Sequence, residues 1–169
     1  MNQPQSDWSR RLWAKDASLW TGADEDKWLG WLQAGHGEAV DLGALLAFQG
    51  RVKASAYSHA LLLGMGGSSL GPEVLGQTFD AAAGFPQLVV LDSTNPEQII
   101  RTETIIDPMR TLYIVASKSG ATLEPDILHR YFWERAVGAM GPEAAGSRFV
   151  AITDPGSKLE ATAKRDGFG

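Results

Sequence analysis

Four short apolar runs constrain this chain more than any other feature: ALLLG at 60–64, QLVVLD at 87–92, TLYIVAS at 111–117 and RFVAITD at 148–154. Each is apolar at successive positions rather than alternate ones, so a strand built from it must be covered on both faces. Each ends at Gly, Asp or Ser and is followed by a stretch of helical character, at 69–79, 96–106, 122–140 and 157–166. Strands that alternate with helices and bury both faces pair in parallel, because the helix returns the chain to the starting edge. With right-handed crossovers, the pattern predicts an α/β fold: a three-layer sandwich around a doubly wound parallel sheet of Rossmann-type topology.

The first part of the chain reads differently. From Trp8 to Ser58 the spacing is helical, with Leu42, Leu45, Leu46 and Val52 recurring near one face. Five of the six tryptophans (Trp8, Trp13, Trp20, Trp28 and Trp31) lie here, and at that density aromatic residues make a core or a docking face. Core packing is the expectation, and Trp8 and Trp13 would otherwise mark a partner domain or subunit. The chain is therefore divided into a helical lead-in, 1–57, packing on the sheet, and an α/β domain, 58–169. The closing DGFG at 166–169 has the form of a helix-capping glycine followed by the start of another strand, so the sheet is expected to be truncated at its C-terminal end.

Charge and composition exclude several functions. A net charge of -5 and a pI near 5.1 leave no basic face for a nucleic-acid backbone or an anionic membrane, yet a few oriented amides and one lysine still suffice for a small anion. With no cysteine there is no disulfide, thiolate nucleophile or thiolate metal site. The N-terminus lacks the pattern of a secretory leader and no apolar run approaches the ~20 residues of a membrane span, so a cytoplasmic protein is expected. His36, His59 and His129 stand singly, without metal-ligand spacing, and read as helix-surface or capping residues; no metal is expected. Asp92 and Asp154 read as turn caps, and Glu103, Asp107, Glu124 and Asp126 as solvated faces or helix caps.

In an open parallel sheet, ligands gather beyond the carboxyl ends of the strands. Two loops there carry phosphate chemistry. In GMGGSSLG at 64–71, glycines allow close backbone approach while Ser68 and Ser69 put hydroxyls and amides at a helix start. In SKSGAT at 117–122, three hydroxyls, one ammonium and a glycine precede another helix. A dinucleotide fingerprint begins at Gly64 and Gly66, with Asp92 placed as a ribose-binding acid would be, but Ser69 stands where its third glycine belongs. A Walker loop does not occur. No cofactor is expected.

Together GMGGSSLGP (64–72), SKSGAT (117–122) and ITDPGSKL (152–159) resemble the glucose-6-phosphate isomerase family. The likeness is closest to the isomerase part of bifunctional transaldolase/phosphoglucose isomerases. LWAKDASLW (12–20) and WLGWL (28–32) are similar to the segment joining their two halves. The resemblance covers nearly the whole chain but only the first part of the isomerase. It implies a sugar-isomerase (SIS) fold and a hexose 6-phosphate partner, interconverted between glucose and fructose forms. It further implies that Ser68, Ser117, Lys118, Ser119 and Thr122 hold the phosphate, with Gly67 and Gly120 permitting close approach. The family's base is a glutamate assisted by a histidine, a lysine and an arginine further along the chain, and no position here matches them. The resemblance thus implies a phosphate-binding half, inactive alone, that assembles as a homo-oligomer or with the remainder of the isomerase/transaldolase chain. The alternative is a non-catalytic SIS module that senses a phosphosugar.

Overall fold

The computed structural model describes residues 5–33, 41–79 and 81–169, and they divide into two compact units, with the boundary between Gln49 and Gly50. The first holds helix α1 (Gln5–Trp13), a 3-10 turn at Ala17–Leu19, a 3-10 segment at Glu25–Gln33 and the start of helix α2 (Leu42–Ala54). Asp16 caps the first turn by accepting from the Ser18 amide, and the Arg11 guanidinium lies 2.7 Å from its carboxylate. The Ser18 hydroxyl bond and then Arg11 hold Asp16 down at about 2. Trp8, Trp13, Trp20 and Trp31 are exposed, against the expectation of a tryptophan core. In a 3-10 helix residues i and i+3 share an edge, so the buried Leu29 and Leu32 take one edge and leave Trp31 on another. Leu42, Leu45 and Leu46 keep their helical spacing in α2 but are exposed, whereas Val52 is buried.

The second unit has the expected α/β fold. Strands β1 (His59–Gly64), β2 (Gln87–Leu91), β3 (Thr111–Ala116) and β4 (Phe149–Ile152) form one sheet in the order β2-β1-β3-β4, with every pair parallel. Helices α3 (Gly67–Thr78), α4 (Pro96–Ile105), α5 (Leu123–Met140) and α7 (Lys158–Asp166) follow the four strands. A short α6 (Pro142–Gly146), unforeseen in the sequence, turns the chain into β4. The first crossover runs from β1 to one side and the next two run to the other. Right-handedness therefore places α3 on one face of the sheet and α4 and α5 on the opposite face, which makes the three layers.

Register decides which residues meet the helices. Val89, Leu61, Tyr113 and Phe149 lie side by side across the four strands, as do Leu91, Leu63, Val115 and Ala151. This face packs against Leu128, Phe132 and Ala136 of α5 to make the main core. Leu61, Leu63, Leu128 and Phe149 are fully buried. Tyr113 and Phe149, paired in register, stack with centroids 4.5 Å apart and planes within 9°. Burial pushes the Tyr113 phenol up to about 12. Past α7, Gly167 adopts the left-handed conformation of a helix cap, as read from DGFG, and the Gly169 amide donates to the Phe149 carbonyl at 3.0 Å, although residues 167–169 do not form the further strand expected there.

Phe149 touches the rings of Tyr113, His129, Trp133 and Phe168, so truncating it opens a cavity at the centre of the aromatic cluster. Phe149→Ala is expected to lower unfolding free energy by about 3–5 kcal/mol, read from urea unfolding of the chain.

Candidate functional site

The order β2-β1-β3-β4 reverses direction between β1 and β3, and a crevice opens at such a switch point beyond the carboxyl ends. The last paired residues of these two strands are Gly64 and Ala116. The loops 65–66 and 117–122 therefore leave the sheet from directly adjacent positions, about 4.8 Å apart.

In the first loop, Gly66 takes φ 55 and ψ -124, a conformation closed to other residues, and starts α3 at Gly67. Gly66 and Gly67 are exposed and Ser68 is half-buried. The amides of Ser68 and Ser69 turn inward to the carbonyls of Met65 and Gly66, at 3.1 and 3.0 Å. Ser69 is fully buried, with its hydroxyl donating to the Gly66 carbonyl at 3.0 Å and lying 3.4 Å from Asp92. Ser69 is thus a structural residue that ties the loop to the end of β2, which corrects its reading as an anion ligand. Asp92 accordingly serves α3 rather than capping its own turn.

The second loop is held more tightly. Ser117 is buried, its amide donating to Ile152 at 3.0 Å and its hydroxyl lying 3.4 Å from Thr122 Oγ1. Gly120, at φ 65, closes a turn with its amide on the Ser117 carbonyl at 3.1 Å. Ser119 is exposed and its hydroxyl oxygen accepts from the Ala121 amide at 3.2 Å, which leaves the hydroxyl proton for another partner. The exposed Lys118 has its carbonyl fixed by the Asp154 amide at 2.9 Å and the Thr153 hydroxyl at 3.2 Å.

These last contacts assign a role to TDPGS at 153–157. The loop after β4 clamps the loop after β3. A Cβ on Gly120 would stand 2.7 Å from the Leu159 amide nitrogen and 3.1 Å from the Ser157 Cβ, so only glycine fits where the two loops cross. In sequence this segment carries a family likeness but no evident function. Its Pro-Gly pair signals a turn, but the partner of that turn lies about 35 residues away.

Helix capping separates the loops into two classes. The helices after β2 and β4 are capped by their own side chains. Asn95 accepts from the Glu97 amide at 2.8 Å, and Ser157 accepts from the Glu160 amide at 3.0 Å. The helices after β1 and β3 have no side-chain cap. Thr122 is the N-cap residue of α5 and would ordinarily accept from that helix's amides, but its hydroxyl faces Ser117 instead. Two uncapped helix starts, each with a positive dipole end, thus occur only at the switch point among the four described strand–helix connections.

Beneath the second loop lies a void of about 10 Å³, bounded by residues that include Ser117, Gly120, Thr122, His129, Lys158 and Thr162. His129 is buried, which corrects its reading as a surface or capping residue, and desolvation pushes its pKa down. Of its neighbours only Trp133, four residues on in α5, follows from helical spacing; Phe149 and Phe168, which complete the aromatic pocket, lie too far along the chain to be read from it. His59 lies at the start of β1, its Nδ1 3.0 Å from the Ser58 hydroxyl, and His36 is outside the described residues. The acidic residues behave largely as read: Asp107 caps a turn at the Met109 amide, Asp126 pairs with Arg130 and Glu103 pairs with Arg135. Among the described residues, no helix is long and apolar enough to cross a membrane.

Residues 38–161 match the family model described as phosphoglucose isomerase. A glucose-6-phosphate isomerase of Prochlorococcus marinus (strain NATL2A) is 34% identical over 116 residues, covering 66% of this chain and 21% of that protein. A glucose-6-phosphate isomerase of Thermus thermophilus is 35% identical over 109 residues, 64% of this chain and 26% of that protein. Among solved structures, a hypothetical protein from Thermus thermophilus superposes with a TM-score of 0.77 at 30% identity, covering 96% of this chain and 37% of that one. A glucose-6-phosphate isomerase from Chlamydia trachomatis gives 0.61 at 26% identity, over 69% and 22% of the respective chains. The chain spans about a fifth to a quarter of the length of these curated relatives. The parallel sheet, the two loops at its switch point and the matched segment agree: the chain belongs to the phosphoglucose isomerase family.

Proposed function

We propose that this chain carries the phosphate-binding part of a glucose-6-phosphate isomerase, and that the loops after β1 and β3 hold the 6-phosphate of glucose 6-phosphate or fructose 6-phosphate. The observation that carries the reading is the pair of uncapped helix starts on adjacent strands, beside five residues suited to a phosphate. Amides near Gly67 and the Ser68 hydroxyl approach from one side. Ser119, Thr122 and Lys118 approach from the other, with Ser117 orienting Thr122 and Gly120 letting the main chain come close. An oxyanion held this way is bound through fixed donors, which need no reorganisation on its arrival.

Such a cradle binds and orients but moves no proton. Aldose–ketose interconversion needs a base between neighbouring carbons and an acid/base group at the ring oxygen. Hydroxyls and amides supply neither, and the Lys118 ammonium is assigned to the phosphate rather than to the reacting carbons. The 169 residues on their own are therefore proposed to bind hexose 6-phosphates without interconverting them, and catalysis to need the groups that the complete isomerase brings to the sugar carbons. The phosphate grip then provides the remote binding energy that fixes those carbons against the base. The likeness of 12–20 and 28–32 to the segment joining a transaldolase half supports a two-enzyme parent protein.

The clamp of the loop after β4 on the loop after β3 gives this grip its rigidity. Gly120→Ala forces a left-handed residue and a clash with the Leu159 amide, so unfolding free energy should fall by about 2 kcal/mol or more. The same substitution should weaken glucose 6-phosphate binding, both effects being read by urea unfolding and calorimetry. Ser119→Glu places a carboxylate beside the bound phosphate on an exposed turn. It should weaken glucose 6-phosphate by about tenfold or more while leaving stability within roughly 1 kcal/mol. Unchanged affinity in Ser119→Glu, or fructose 6-phosphate production by the chain alone at a full isomerase's rate, would contradict the proposal.

A further inference from the structure

His129 is a polar residue in an apolar place. It is 4% exposed, the rings of Phe168, Phe149 and Trp133 stand 5.6, 5.8 and 6.2 Å away, and its Nε2 has no hydrogen-bond partner. A buried polar nitrogen left unpaired costs about 1–3 kcal/mol, which an apolar residue would avoid. The crevice it lines has room and polar partners for a compensating group. The void of about 10 Å³ there has the dimensions of a single water site, and it is walled by the polar residues Ser117, Thr122, Asp126, Lys158 and Thr162. Helical side chains lean toward the N-terminus, and His129 lies four residues after Pro125 and seven after Thr122, on the face of α5 that leads to the second loop. The Ser117 and Thr122 hydroxyls are 3.4 Å apart, long for two hydroxyls, so Ser117 Oγ keeps capacity for a second partner.

We propose that one ordered water in this crevice joins His129 Nε2 to Ser117 Oγ, and that His129 is thereby a positioning residue for the phosphate loop. The water donates one hydrogen to the ring nitrogen and the other to Ser117 Oγ. The Ser117 proton is then directed at Thr122 Oγ1, and the Thr122 proton points outward, where an anion needs a donor. The chain of donors has one sense only while the ring is a neutral acceptor. Burial keeps it so, against Asp126 and Asp166, which favour its protonation, and with Arg130 and Arg165, which oppose it. Lys158, also on the crevice, adds positive charge in the same sense. The inference rests on the reading that this loop takes a phosphate.

The test is a high-resolution crystal structure of the chain together with calorimetric titration of glucose 6-phosphate into wild type, His129→Leu and His129→Gln. A water bonded to both His129 Nε2 and Ser117 Oγ is expected. His129→Leu should bind about fivefold more weakly, the value of one ordinary hydrogen bond, and His129→Gln, which keeps a polar group near the Nε2 position, should recover most of the loss. An empty or differently occupied crevice, wild-type affinity in His129→Leu, or equal weakening in both variants would overturn the inference. If neither variant folds, the water in the wild-type crystal decides it. If the wild type binds no glucose 6-phosphate, the proposed function fails, and the water between His129 and Ser117 still decides whether this network exists.

Discussion

The parallel pairing of β1 with β3 is the constraint on which the rest of the site depends. Six residue pairs, from His59 with Thr111 to Gly64 with Ala116, fix the two strands in one register and bring their carboxyl ends level. β1 is central, flanked by β2 on its other side, so neither strand can slip without moving its apolar set off α5. Two loops that are far apart in sequence are thereby delivered to the same sheet edge. The helix starts that follow them are the two left without side-chain caps, whereas Asn95 and Ser157 close the helices on either side. Side chains thus cap the helices that flank the switch point, whereas the two helix starts where an anion is proposed to bind present their dipole ends without a side-chain cap.

Rigidity at that point comes from contacts that no single loop could make alone. The loop after β4 bonds the Lys118 carbonyl twice, and its helix start passes so close to Gly120 that no side chain fits. Ser69, fully buried, ties the first loop to Asp92 at the end of β2. Each of the four strands thus contributes either to the candidate cradle or to its bracing. The aromatic cluster around Phe149 and His129 lies immediately below, so packing of the core and geometry of the second loop share residues.

Most of the architecture was legible because it follows from local pattern. Runs such as ALLLG and TLYIVAS are apolar on both faces and could only be buried parallel strands, and the turn residues that end them set the helix starts to within two positions. The loops GMGGSSLG and SKSGAT stood out for the same reason. What escaped was long-range. Ser69 reads like Ser68 in the sequence, yet the first step of α3 turns it inward to Asp92. His129 carries no local sign of burial, since its pocket is built by Phe149 and Phe168 from β4 and the chain's last residues. The density of tryptophans in the first unit suggests a core, but density does not say which edge of a 3-10 segment is covered, and Trp8, Trp13, Trp20 and Trp31 are exposed.

The central claim is that both loops close on one phosphate. Titration of ¹⁵N-labelled chain with glucose 6-phosphate, followed amide by amide, tests it most directly. The account predicts that the amides of Gly67 and Ser68 and those of Ser119 to Leu123 shift together with one dissociation constant, while the capped starts of α4 and α7 stay still. Shifts confined to one loop, or centred away from both, would contradict it.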